Sequence, residues 1–233
     1  MDYKALEKDL VTILDTAHNP SIARIRGHFF EAENSFFREN IRDENVLVLG
    51  SGLGHDAFEL IKYNSQVIGF EILENLVVEA DYRKRHYHPD ANVHFAKCDF
   101  VDEGKSMGTR SYYNDISVLN MGTFGNFENK IDVLNSITKL APVTYLDFYL
   151  PGEENTLLRK RMYEEEGYKD VKIKGDTVYT DYGFSSEAMS KDKFTEIFSQ
   201  VVNINPYVNK FELKFTDFHK FATMATIYRS YGK

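Results

Sequence analysis

The feature that most constrains this chain is Gly50-Ser51-Gly52-Leu53-Gly54, placed directly between an apolar run and a helical pattern. The run is Val46-Leu47-Val48-Leu49, short and continuous, as expected of a strand buried on both faces of a parallel sheet. A helix is predicted immediately afterwards, from Asp56 to Tyr63. Glycines at such a junction let bare backbone approach a ligand, and amides at the helix N-terminus point at it. A tight connection without any ligand uses the same residues, so the neighbouring strand ends have to decide.

Those ends recur in regular alternation with helices. Gln66-Val67-Ile68-Gly69-Phe70 is a second strand ending at Glu71, and a helix is predicted from Glu74 to His86, stopped before Pro89. Val93 to Ala96, leading to Asp99, and Asp115 to Leu119, leading to Asn120, are the third and fourth strands. A helix with the stripe Phe127, Ile131, Leu134 and Ile137 precedes a fifth strand, Val143 to Leu150. Such alternation implies an α/β chain with an open, doubly wound, mostly parallel sheet.

The flanks differ in pattern. One helix carries Leu6, Leu10, Ile13, Leu14 and Ala17 and stops at Asn19-Pro20; a second runs from about Ser21 to Ile41 with Gly27 as a weak point. They are read as an N-terminal helical cap, residues 1–42, before a core at 43–150. Phe29, Phe30, Phe36 and Phe37 are expected in the hydrophobic interior. After Pro151-Gly152 a charged helix, Glu153 to Gly167, is followed by Val171 to Ile173 and Thr177 to Tyr179 around Gly175-Asp176, the pattern of a hairpin. A small lid inserted after strand five is therefore predicted at 151–189. A helix from Lys191 to Val202 and strands at Lys210 to Phe215 and Ala222 to Tyr228 then close a single domain over 190–233, bringing the sheet to seven strands.

An acidic side chain where Glu71 stands can accept hydrogen bonds from both hydroxyls of a ribose lying across the strand tips. The dinucleotide pattern G-x-G-x-x-G/A requires a small residue at the position of His55, which disfavours NAD. A G-x-G-x-G turn after strand one, Glu71 after strand two, Asp99 after strand three and Asn120 after strand four together resemble the class I S-adenosylmethionine-dependent methyltransferases. The resemblance covers Asn45 to Leu150 and, by the trailing helix and two strands, extends over the rest. It implies a Rossmann-like fold, with S-adenosylmethionine as cosubstrate and S-adenosylhomocysteine as product. It further implies that Gly50, Ser51, Gly52 and Gly54 line the methionine and ribose part and that Glu71 holds the ribose hydroxyls. Asp99 would bond the adenine amino group, with Ile72 and Phe100 flanking the ring. Asn120 and Met121 stand where the family places a backbone carbonyl for the methionine ammonium and one wall of the active site. Arg26 is a candidate clamp for the cosubstrate carboxylate if the cap folds over the site.

Met121-Gly122-Thr123-Phe124-Gly125-Asn126-Phe127 resembles the T-x-G-N-F/L turn of small-molecule N-methyltransferases, including those acting on amino-acid amines. This implies a small, amine-bearing acceptor and a substrate contact from Asn126, with Asn126 as a helix cap the equal alternative. Methyl transfer needs chiefly an aligned and neutral nucleophile. Asp147, Tyr149, Tyr179 and Tyr182 are therefore catalytic candidates for taking the amine proton, and Asp181 a substrate contact, because they end strand five or fall in the lid. With 15 Tyr and 18 Phe but no Trp, an aromatic pocket for cations is readily built. O-methylation of a small metabolite, and a non-catalytic partner subunit retaining the fold, stand as alternatives.

Charge narrows the partners. Lys plus Arg number 28 and Asp plus Glu 36, a net charge of -8, which argues against nucleic acid. The single cysteine, Cys98, permits no internal disulfide or Cys-built zinc site and is read as a small buried residue. No metal is expected: His86 and His88 follow Arg83-Lys84-Arg85 at a helix end, where cations complement the dipole, and His94 lies in the next strand. The opening residues lack a secretory layout and no apolar run reaches bilayer length, so a cytoplasmic protein is expected.

Overall fold

A computed structural model of the chain describes residues 3–106, 114–181, 183–204 and 210–230. Its centre is a seven-stranded sheet of β1 (Asn45–Leu49), β2 (Gln66–Glu71), β3 (Val93–Lys97), β4 (Ile116–Leu119), β5 (Val143–Tyr149), β9 (Lys210–His219) and β10 (Ala222–Ser230). The order is β3-β2-β1-β4-β5-β10-β9. The first five strands are mutually parallel, and β10 runs antiparallel to both β5 and β9. Helices α3 (His55–Leu60), α4 (Glu74–Tyr87), α5 (Phe100–Ser106), α6 (Lys130–Leu140) and α8 (Lys191–Ile204) flank it, with a 3-10 turn at Thr123–Asn126. Together these form an α/β Rossmann-like fold, doubly wound as the alternation requires.

Burial on both faces explains the unbroken apolar run of β1. Val46 and Val48 point into one core with Phe36, Phe37 and Phe58, while Leu47 and Leu49 point into the other with Leu119, Leu134, Phe148 and Phe194. Phe194 of α8 stacks on Phe148 of β5 with ring centroids 4.9 Å apart. The sheet order reverses between β1 and β4, whose following connections pass to opposite faces and leave a crevice at the strand C-termini.

The cap consists of α1 (Tyr3–Ala17) and α2 (Arg24–Asn40). Phe29, Phe30, Phe36 and Phe37 are buried as expected. Gly27 is a close approach, not a defect: a Cβ there would stand 2.9 Å from Cβ of Pro20 in the connecting turn. The inserted segment is α7 (Glu153–Glu165) followed by a small antiparallel sheet of β6 (Lys172–Lys174), β7 (Thr177–Tyr179) and β8 (Ser185–Glu187). The hairpin pairs Ile173 with Val178 around Gly175 at φ +60°.

Several boundaries moved. The helix expected from Phe127 starts at Lys130, because the side chain of Asn129 accepts from Asp132 N at 3.1 Å and caps it. Helix α5 and strand β8 carry no sequence signature: α5 has seven residues, and Ser-Ser-Glu becomes a strand only by pairing with β7. Among the described residues no helix is long and apolar enough to cross a membrane.

Phe194→Ala removes a ring that is fully buried between Phe124, Phe148 and Phe215. The loss expected in urea denaturation is about 3–5 kcal/mol; a change below about 1 kcal/mol would contradict the placement of α8 over β5.

Candidate active site

A cavity of about 510 Å³ opens at the crevice, in the size range of small-molecule sites. Its floor is the glycine turn. Gly50 and Gly52 have φ of +69° and +51°, a conformation that L side chains rarely adopt. A Cβ added at either would meet only Thr123 at 3.9 Å or Leu14 at 3.6 Å, so bare backbone faces the cavity. Gly54 differs: a Cβ there would stand 2.5 Å from the Phe95 ring, and it serves packing and the start of α3 rather than the cavity wall.

Glu71 ends β2 beside this turn and is buried at the cavity edge. One carboxylate oxygen accepts from Gly52 N and the other from Leu73 N, both at 3.0 Å. Burial raises its pKa, and the backbone amides of Leu73, Gly52 and Ile72 oppose that rise. Ile72, Leu73, Leu76, Phe100 and Val101 make an apolar shelf next to it. Asp99 stands exposed on the rim and caps α5 by accepting from Val101 N at 2.9 Å. Cys98 also lines the cavity, and burial pushes its thiol up to about 11, consistent with an unreactive side chain. The bare glycines, the buried carboxylate and the apolar shelf fit a nucleoside with a flexible polar tail.

The opposite end is walled by the cap and the lid. Arg26, buried, donates from Nε to Glu166 at 2.6 Å and from a terminal nitrogen to the Tyr149 hydroxyl at 2.7 Å. Its charge is answered by Glu166 within the protein, while the cap folds over the site and brings the guanidinium to the cavity wall. Tyr163, Tyr168 and Phe184 pack edge-to-face or stacked at 5.5 to 6.0 Å and line this end together with Arg26 and Glu166. His18 stacks between Phe30 at 4.4 Å and His55 at 3.8 Å. Its Nδ1 donates to the Leu14 carbonyl at 2.8 Å, and burial pulls both imidazoles down to about 4, so both are neutral at neutral pH.

The structure separates the remaining candidates. Met121 and Asn126 line the cavity, and the Asn126 side-chain oxygen is buried without a hydrogen-bond partner among the described residues. Asn120 lies beneath the wall, donating to Glu33 at 3.4 Å. Asp147 and Tyr149 are fully buried beneath the turn after β4, where Asp147 accepts from Gly122 N and Tyr149 donates to the Met121 carbonyl at 3.2 Å. Neither lines the cavity, because the turn after β4 covers the end of β5 that carries them. Tyr179 is 40% exposed and outside the cavity, since β7 presents only Val178 inward. Asp181 is likewise outside, accepting from Lys169 N at 3.3 Å within the lid. Tyr182 lies outside the described residues.

Glu33, Asp56, His18, Tyr163, Glu166, Tyr168 and Phe184 carry no signal in the sequence pattern, and His55 stood out only as the bulky residue after the glycine turn. The meeting of His18 and His55 depends on the fold of α1. Among the described residues no group of three metal-ligating side chains is placed to hold an ion.

No protein-family model matches the chain, and no curated protein sequence is similar to it. Solved structures are similar over its length. A complex described as DhpI with SAH superposes with a TM-score of 0.61 at 15% identity, covering 98% of both chains. An S-adenosylmethionine-dependent methyltransferase from Clostridium acetobutylicum superposes at 0.60 with 10% identity, covering 85% of this chain and 91% of that one. Magnesium protoporphyrin IX methyltransferase from Synechocystis, with bound SAH, superposes at 0.56 with 15% identity over 88% and 85%. The chain has the class I methyltransferase fold. Its seven strands, with only β10 reversed, and its site at the β1–β4 reversal are the architecture of that fold.

The neutral histidines make stability pH-dependent. Held near 4 against an ordinary 6.5, His18 and His55 take up protons mainly on unfolding, so their contribution is present above pH 6.5 and lost as pH falls toward 4. Asp147, raised from 3.8 to about 7 by burial, acts oppositely, its contribution being lost as pH rises through that window. In urea titrations between pH 7 and pH 4, His18→Gln is expected to lose less stability on acidification than the parent, by up to about 3 kcal/mol. Identical pH dependence would show that His18 is not held neutral.

Proposed function

We propose that this protein is an S-adenosylmethionine-dependent methyltransferase that methylates the nitrogen of a small amine. The observation that carries the cosubstrate assignment is the buried Glu71 carboxylate beside the bare Gly50 and Gly52 backbone, at the sheet reversal. Bound there, S-adenosylmethionine supplies a methyl group on a sulfonium that is open to in-line attack. Glu71 would accept the ribose hydroxyls, and Ile72 and Phe100 would enclose the adenine, with Asp99 at its rim.

The chain's part in the reaction is placement and desolvation. Wall residues Met121, Thr123 and Asn126 stand between the glycine turn and the lid side, where an acceptor meets the cosubstrate. Tyr163, Tyr168 and Phe184 offer ring faces and edges to an alkylamine. Arg26 is paired with Glu166 and both histidines are neutral, so among the described residues the lid end of the cavity offers an anionic group no unpaired cation. Burial among these rings also disfavours the ammonium form, so the amine arrives as the neutral nucleophile. That balance favours nitrogen over a charged oxygen nucleophile and a small acceptor over a macromolecule.

Calorimetric titration with S-adenosylmethionine, S-adenosylhomocysteine and NAD is expected to show binding of the first two and not the third. Glu71→Ala is expected to weaken that binding by about 1–3 kcal/mol, as ribose hydroxyls lose their acceptor. A panel of small amines and hydroxylated metabolites with mass-resolved products then separates N- from O-methylation. Absence of cosubstrate binding would favour a non-catalytic subunit that keeps the fold.

A further inference from the structure

The tip of β4 has a shape that its own sequence does not favour. Met121 and Gly122 follow one another at φ +62° and +66°, and methionine rarely adopts that conformation. Gly122 admits no side chain, because a Cβ would stand 2.1 Å from the Tyr149 ring. The polar groups of the turn are answered from beneath. Met121 N donates to Glu33 Oε1 at 3.3 Å, Asn120 Nδ2 to Glu33 Oε2 at 3.4 Å, and Gly122 N to both oxygens of Asp147 at 2.8 and 3.0 Å. The upper side of the same turn, at Met121 and Thr123, is cavity wall.

Glu33 and Asp147 are both fully buried and hydrogen-bond each other, an arrangement that requires a proton on one of them. Asp147 takes the shorter contacts, 2.8 and 3.0 Å from Gly122 N, which favour its ionised form, whereas burial and the neighbouring Asp147 hold the Glu33 carboxyl well above its ordinary range, so Glu33 is the protonated donor. The charged and titratable groups facing the pair are Asp56 from α3, Arg26 from α2 and Tyr149 from β5, and Arg26 is itself paired with Glu166.

We propose that Glu33 is a positioning residue for methyl transfer: together with Asp147 it holds the Asn120–Gly122 turn in its left-handed shape and so sets where the acceptor wall stands over the glycine turn. The role rests on the methyltransferase reading. Glu33 does not line the cavity, so it acts through the turn and not on a ligand. Because Glu33 serves as a neutral group, glutamine can replace it: its amide oxygen accepts from Met121 N while its NH2 donates to Asp147, and only the 3.4 Å contact from Asn120 is given up. Aspartate cannot, since it withdraws the carboxyl group by one methylene.

The test compares the full-length parent with Glu33→Gln, Glu33→Asp and Glu33→Ala. Glu33→Asp keeps a buried carboxyl and serves where Glu33→Ala does not fold. Two readouts are needed: amide hydrogen exchange at Met121 and Gly122, and kcat, KM and S-adenosylmethionine Kd with an acceptor from the amine panel. Glu33→Asp and Glu33→Ala are expected to lose protection at both amides and to lower kcat by roughly 10²-fold, the scale of a wall misplaced by an ångström, with the Kd little changed. Glu33→Gln is expected to keep protection and most of kcat. Unchanged exchange and kcat in Glu33→Asp, or a Glu33→Gln variant as impaired as Glu33→Asp, would overturn the proposal. A parent that binds no S-adenosylmethionine would refute the methyltransferase reading and with it the catalytic purpose of Glu33, whereas the exchange data separately decide whether Glu33 holds the turn.

Discussion

Arg26 joins the three parts of the molecule that a parallel sheet alone does not connect. It leaves α2 of the cap, donates to Tyr149 at the end of β5 and closes on Glu166 just past α7. Guanidinium and carboxylate are almost wholly buried, 4% and 3% exposed, and a pair so placed is stable only while both members are present. The ring of Tyr163 lies 5.6 Å below the guanidinium, and the Ile25 amide donates to Glu165 beside it. Cap, strand and lid are thereby held in one arrangement, and the far wall of the cavity is built from the contact between them.

Polar burial under the cavity has the same logic. Glu33, Asp147, Asn120 and Tyr149 lie where a purely apolar core would pack as densely, yet each bonds backbone or a side chain at the turn after β4. Such a network specifies one backbone shape, because a left-handed methionine persists only where its surroundings compensate the strain. Helix α1 covers the glycine turn with Leu10, Leu14 and His18, and an exposed bidentate pair from Arg83 to Asp15 at 2.8 and 2.9 Å ties it to α4. Leu10 of α1 also packs with Leu53, Leu73 and Leu76, so this wall too is built from contacts between separate elements.

The sheet was legible because its cause is local. A strand buried on both faces is apolar at nearly every position; Val46 to Leu49 shows it directly, and Val143 to Leu150 departs from it only at Thr144 and Asp147. Glu71 and the glycines were legible for a related reason: the end of a strand and the start of a helix lie at fixed offsets from the crevice, so residue type and position in the element suffice. The support beneath the site was not legible. Asp147 and Tyr149 end β5 and looked reactive, but the side on which they stand is covered by Gly122, whose fit against the Tyr149 ring is a contact across 27 residues of chain. Tyr179 and Asp181 fall in the lid, and which strand face of a three-residue hairpin turns inward has no signal in so short a pattern.

The sequence by itself determined the alternating α/β order, the depth of the sheet, the turn that exposes bare backbone and the carboxylate that meets it, because hydrophobic periodicity and strand-end chemistry act within a few residues. Only the tertiary structure decided that Arg26 is neutralised by Glu166, that His18 and His55 stack as uncharged rings, and that Glu33 reaches the wall of the cavity. Each depends on residues 37 to 140 positions apart, as 55 minus 18 and 166 minus 26 give, being brought within a few ångströms by packing of the cap and lid. Burial then sets their protonation, and no stretch of sequence shorter than the domain carries that information.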